Sequence, residues 1–236
     1  MAVRRRRALH AITLLGTAHL DFTIVRDAAP ALAHGALVTF EITAAGMAGS
    51  LAVGVTAAGL RMANSRAVRA AATAFAEFFR NTPPLVHIFF AYFALPAIGI
   101  NVPGFVAATV ALVLYQGAIA SEILRAGLEA VPAGQIEAAD ALGLGGFERF
   151  RSVVAPQALR ISLPALGNNL ISLFKNTSLV SAIGVLDVTG VAQDVIAQRL
   201  SSAELYLTIG AFYLLCVFAF AGVLRALEAR LARYGT

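Results

Sequence analysis

Residues 134–156 read GQIEAADALGLGGFERFRSVVAP, the most polar long stretch of an otherwise apolar chain. The stretch carries Glu137, Asp140, Glu148, Arg149 and Arg151, glycines at 143, 145 and 146, and a closing Pro156. Apolar runs flank it on both sides, and that position decides the fold. It reads as a connection between two membrane-spanning helices, and its polarity then needs a reason of its own.

The surrounding composition supports this reading. Of 236 residues, 59% are hydrophobic and 13% charged, and the mean hydropathy is +0.79. An average soluble domain carries about 25% charged residues, so 13% is too little to cover a soluble fold of this size. The net charge of +5 is not read as a nucleic-acid signal. The arginines sit beside apolar spans, where the positive-inside bias places them. The single Cys216 lies in an apolar run, which excludes an intramolecular disulfide or a thiolate metal cluster. No GxxxxGK[S/T], HExxH or GxSxG motif is present, so no catalytic or metal-binding residues and no cofactor are assigned to this chain.

A hydrocarbon core of ~30 Å needs roughly 20 apolar helical residues. Five stretches qualify, at about 35–60, 72–99, 104–124, 161–184 and 204–224. The fourth is expected to begin at Pro164, a residue suited to a first helical turn. Placing the loop after span one inside puts Arg61, Arg66, Arg69, Arg125, Arg149, Arg151, Arg160, Arg225, Arg230 and Arg233 inside. The outer segment 185–203 then holds only Arg199 against Asp187 and Asp194. This asymmetry makes segment 125–160 and the C-terminus cytoplasmic. The N-terminus conflicts, because Arg4 to Arg7 fall outside, and ALHAITLLGTAHL is short for a span. It resembles an interfacial helix or a signal h-region. A sixth span over about 8–25 would move those arginines inside, but Asp21 and two histidines oppose it.

Ionisable residues at membrane depth are costly and point to a lined cavity or pathway. Glu122 has Arg125 three residues on, and Glu77 has Arg80, so both read as local helix pairs. Glu41 reads equally as an interfacial or a pathway residue. Lys175 stands apart, since 17 of the 18 basic residues are arginine. It shares its span with Asn168, Asn169, Asn176, Thr177 and Ser178. A compact ammonium there fits two roles, an interhelical hydrogen-bond clamp or the polar wall of a passage for a charged or zwitterionic solute.

Segment 125–160 is far longer than the ~2–8 residues that usually join helices in a bundle. Its local signals predict a helix over Gln135–Leu142, a turn at Gly143–Gly146 and a second helix over Phe147–Ala155 that Pro156 stops. Ala138, Ala139 and Ala141 around Glu137 are expected to form a surface of little bulk, able to enter another protein's groove. The alternative is a hairpin packed on the bundle's own inner face.

The spacing Glu137-Ala138-Ala139, three residues, Gly143, nine residues, Val153, two residues, Pro156 resembles the EAA signature of permease subunits of ATP-binding-cassette importers. The family pattern has Ile and Leu where this chain has Val153 and Ala155. GALVTFEIT (35–43), FFRNTPPLVHIFFAYFALP (78–96), SEILRAGLEAVPAGQIEAADALG (121–143) and PQALRISLPALGNNLISLFKNTSLVSAIGV (156–185) are similar to the polar amino-acid branch. That branch includes the histidine, glutamine and arginine permeases, and the resemblance covers about residues 30–235.

The resemblance implies an all-α, polytopic membrane helical bundle of about five transmembrane helices with a cytoplasmic coupling-helix loop. It implies a permease domain over 31–235, with the coupling loop at about 125–160, whereas residues 1–30 lie outside the resemblance and are expected, from their own sequence, to form an N-terminal arm or interfacial helix. The implied partners are a second permease, identical or paralogous, a cytoplasmic ATPase dimer that holds ATP and Mg, and an extracytoplasmic solute-binding protein. A polar amino acid would be the cargo, membrane lipid the surroundings and the bacterial inner membrane the location. Glu137, Ala138, Ala139 and Gly143 are expected to couple to the ATPase. Lys175, Asn168, Thr177 and Glu41 are expected on the solute path. A self-contained secondary carrier or channel is the alternative. It predicts inverted repeats, yet no second copy of the Lys175 segment appears, and five spans do not halve.

Overall fold

The computed structural model describes residues 20–199 and 203–233, so the reading of residues 1–19 lies outside them. The described residues form a helical bundle. α1 spans Thr23–Arg61, and its 39 residues measure about 58 Å at 1.5 Å per residue. It begins where the Asp21 carboxylate accepts the Thr23 N–H at 2.9 Å. Hydrogen bonds from Thr23 draw that carboxyl below its usual range. The boundary expected at residue 30 falls inside this helix, because Ile24, Ala28 and Leu32 already pack in a core cluster with Val188, Val191 and Leu205.

Small residues let α1 lie against α4 (Gly104–Glu129). A Cβ at Gly54 would stand 2.7 Å from that of Ala120, and one at Gly117 would stand 2.6 Å from Val53. Such distances leave room for hydrogen alone, so the two backbones touch where a larger residue would hold them apart. α4 packs in turn on α7 (Ala155–Asn176) through a reciprocal buried pair. Gln116 Nε2 donates to the Asn169 carbonyl at 3.3 Å, and Asn169 Nδ2 donates to the Gln116 carbonyl at 3.1 Å.

The expected span at 72–99 is broken. α2 (Arg66–Asn81) ends at Thr82, whose ψ of 136° is the extended conformation forced on a residue before proline. α3 (Pro84–Phe89) then runs through a π turn (Phe90–Ala94) and a 3-10 turn (Leu95–Ile98) to Gly99 at φ +84°. α2 is amphipathic, burying Ala72 and Ala76 while Arg66 and Arg80 stay exposed.

The fourth span also departs from expectation. Pro156 does not stop a helix, and Pro164 does not start one. After α5 (Ala133–Ala141), α6 (Gly146–Arg149) passes through a π turn (Phe150–Val154) directly into α7. The Ala155 N–H bonds the Phe150 carbonyl, a wide spacing that carries the chain past a proline lacking a donor. Pro156 thus occupies the first turn of α7, and Pro164 lies within it. α7 gives way to a 3-10 stretch (Thr177–Ile183), Gly184 at φ +77° and α8 (Val188–Arg199). α9 (Ala203–Arg233) closes the chain.

Among the described residues, α1, α4 and α9 are long and apolar enough to cross a membrane. The α6–α7 unit and α8, bent by 40° at the break between them, bring the number to four when the bent pair is counted as one span. Of the remaining expected span, Pro84–Ile98 is an apolar helical stretch shorter than a full span, and α2 precedes it across the break. α9 leaves Leu214, Leu215, Phe218 and Val223 exposed on the outside of the bundle, where lipid would cover them.

Candidate functional site: a capped surface loop and a charged helix face

The 125–160 segment occupies one end of the bundle, and α5 is largely exposed there. Pro132 precedes α5, and Gly143 follows it at φ +75°. The Gly143 N–H donates to the Asp140 carbonyl at 2.9 Å, and the Leu144 N–H donates to the Ala139 carbonyl at 3.2 Å. This crossed pair is the Schellman closure, which needs a left-handed residue at the position Gly143 holds. Asp140 also forms an ion pair with Arg149, binding α5 to α6. Gln157 reaches back from α7 to Gln135 at 3.4 Å. α5 is therefore fixed at both ends.

Glu137 and Ala138 face out, as does Gly143. Ala139 does not. It is 2% exposed, so the expected small-residue surface reduces to Ala138 and Ala141 beside Glu137. The sequence reading also passed over two side chains. Leu142 is 80% exposed and Phe147 77%, one on each side of the glycine turn. The available signal was that both are large apolar residues in the chain's most polar stretch.

A second feature lies away from the loop, on α1 and α7. Phe40 on α1 stacks on Phe174 of α7 with ring centroids 6.0 Å apart. Their chain neighbours Glu41 and Lys175 therefore sit at one level of adjacent helices, and both are exposed. Asn168, two turns before Lys175 on α7, is exposed as well. Among the described residues, neither Glu41 nor Lys175 makes a side-chain hydrogen bond or an ion pair. Thr177 parts from this group. It is fully buried, and its hydroxyl donates to the Phe174 carbonyl at 2.7 Å.

Other charges are paired. Glu122 meets Arg125, as its spacing predicted, but it also bridges to Arg61 on α1 at 2.6 Å. Glu77 and Arg80 pair at 2.9 Å. A cavity of 660 Å³ at this end of the bundle is lined by Arg61, Arg66, Arg69 and Arg125. At the opposite end, buried Asp187 accepts the Gly190 N–H at 2.8 Å and the Tyr213 hydroxyl at 3.2 Å. Thr39 accepts the Val188 N–H at 3.1 Å. These bonds anchor the head of α8 to α1 and α9.

A bundle of crossing apolar helices with a capped, polar loop at one end and unpaired charges on adjacent helices has the build of a polytopic membrane transport component. The sequence profile of the binding-protein-dependent transport system inner membrane component family matches residues 50–233, and the chain belongs to that family. It is 36% identical over 213 residues to the glutamine transport system permease protein of Escherichia coli (strain K12), covering 89% of this chain and 97% of that one. It is 34% identical to the L-cystine transport system permease protein of Bacillus subtilis (strain 168), covering 92% and 93%. The structure is similar to that of an amino acid ABC transporter crystallised with histidines, with a TM-score of 0.86, 33% identity and coverage of 89% and 99%. Likeness to an inward-facing methionine ABC transporter, with a TM-score of 0.69 at 20% identity over 90% of this chain, shows the fold alone.

Proposed function

We propose that this chain is the membrane-spanning subunit of an ATP-driven importer of a polar amino acid. It forms part of the translocation pathway and couples to an ATPase through the 125–160 loop. The observation that carries the reading is the capped α5 loop, which presents Glu137, Ala138, Leu142 and Phe147 outward from a fixed base. Similarity to the glutamine and L-cystine permeases along nine-tenths of the chain supports the cargo class.

Two ATPase subunits on the cytoplasmic side would bind ATP with Mg and draw together. The docked α5 segments would follow, and the bundle would shift between inward-open and outward-open states. A second permease, identical or paralogous, completes the pathway, and an extracytoplasmic solute-binding protein delivers the cargo. Coupling requires that the loop bind the ATPase differently in its two states, since only differential affinity shifts an equilibrium. Leu142 and Phe147 supply the apolar anchors and Glu137 the charge that sets register.

The test is a detergent pull-down of tagged protein from its own membranes, with wild type beside Glu137→Arg. An ATPase that co-purifies with wild type and falls at least tenfold in the variant is the expected result. A protein that purifies alone in both cases, and moves solute in liposomes without ATP, would overturn the importer reading in favour of a secondary carrier.

A further inference from the structure

The break between α2 and α3 leaves one backbone carbonyl without its helical partner. In a continuous helix the Phe79 carbonyl would accept the N–H of residue 83. Residue 83 is proline and has none. A carbonyl left unbonded in an apolar bundle is costly. His87 stands where that donor is missing. Its Nε2 lies 3.2 Å from the Phe79 carbonyl oxygen, across eight residues and the whole bend. A carbonyl oxygen only accepts, so Nε2 carries the proton in this contact.

His87 is buried, 7% exposed, and aromatic rings surround its imidazole. Phe79 lies 4.8 Å away, Phe78 5.6 Å and Tyr115 of α4 6.2 Å, centroid to centroid. His87 therefore joins α2, α3 and α4 at one point. On one side of that point, α2 runs toward the end of the bundle that bears the loop. On the other, Ile88 is fully buried in a cluster with Ile42, Leu112, Val180 and Ile183, the last two in the 3-10 stretch that begins two residues after Lys175.

We propose that His87 is a positioning residue for transport: its Nε2–H replaces the N–H that Pro83 lacks and fixes the angle between α2 and α3. The function of this bend is to keep the loop end and the Lys175 region in register as the bundle changes state. The contact itself stands on geometry, and only its role in transport rests on the importer reading above.

The experiment uses the assembled complex and compares wild type with His87→Gln and His87→Leu. Glutamine places an amide N–H close to the position of Nε2, whereas leucine fills the volume without a donor. His87→Leu should lower uptake at least tenfold while the ATPase still co-purifies and still hydrolyses ATP. His87→Gln should restore uptake to within about twofold of wild type. Equal uptake by His87→Leu and wild type, or equal loss in both variants, overturns the proposal.

A thermal-unfolding cycle covers the case in which His87→Leu is poorly folded. Pro83→Ala returns an N–H to the helix, so His87→Leu should lower Tm markedly less in the Pro83→Ala background than in wild type. An undiminished loss in that background also overturns the proposal. If wild type brings down no ATPase, the importer reading fails by itself, and the cycle still decides whether the Phe79 bond exists.

Discussion

Lys175 shows how one residue type can carry information. A chain that otherwise uses arginine for every positive charge places a lysine on α7, level with Glu41 of α1. Both stand without a charged partner among the described residues. We propose that these two charges meet the two ends of a zwitterionic solute, the ammonium facing its carboxylate and the carboxylate its ammonium. Hydrogen bonds to charged groups contribute about 1.5–3 kcal/mol, equivalent to roughly ten- to hundredfold in affinity. Lys175→Met keeps the length of the side chain and removes its charge. It should raise the KM of amino-acid uptake by about tenfold or more while leaving ATPase co-purification intact. An unchanged KM in proteoliposomes would remove Lys175 from the solute path and return it to the role of a helix clamp. Thr177 is not expected to share this behaviour, since its hydroxyl is spent on the Phe174 carbonyl.

Among the elements, α5 is the clearest case of a short helix made rigid by its ends. Nine residues are too few to hold a helix in water without help. The crossed hydrogen bonds at Gly143, the Asp140–Arg149 pair and Gln157 supply that help. Gly143 adopts φ +75°, a region that costs most residues roughly 1–2 kcal/mol, and a β-branched side chain fares worst there. No atom stands within 4 Å of the place a Cβ would take at Gly143, so the penalty is conformational, not steric crowding. Gly143→Val should therefore loosen the loop without disturbing the bundle. Co-purified ATPase should drop severalfold, while the Tm of the detergent-solubilised bundle stays within a few degrees of wild type. A large fall in Tm would show that the cap supports the core as well as the loop.

The whole molecule sorts its charges by end. Arg61, Arg66, Arg69 and Arg125 surround one cavity at the loop end, whereas the opposite end shows Arg199 paired with Asp27 and the buried Asp187 cluster. This polarity motivates the proposed orientation, with the loop end cytoplasmic. Labelling with a membrane-impermeant maleimide checks it in a Cys216→Ser background. Ala197→Cys on α8 should react in intact spheroplasts, whereas Gly134→Cys should react only after permeabilisation. The reverse pattern would invert the topology and place the loop where no ATP-driven partner can reach it.

Hydropathy is a local property, so the alternation of apolar runs and arginine-rich connections determined the bundle and the polar loop directly from sequence. The glycine turn was equally legible, because the demand for a left-handed residue is met within five positions of chain. Prolines were legible as breaks but not in their consequence. Pro83 ends a helix, whereas Pro156 is absorbed by a π turn, a difference that the proline itself does not encode. Which side of a helix faces the core was beyond reach for the same reason. Ala139 and Thr177 turn inward, Glu122 crosses to Arg61, and His87 bonds back over the bend to Phe79. Each of these outcomes depends on packing with chain outside its own helix, and only the tertiary structure brings those segments together.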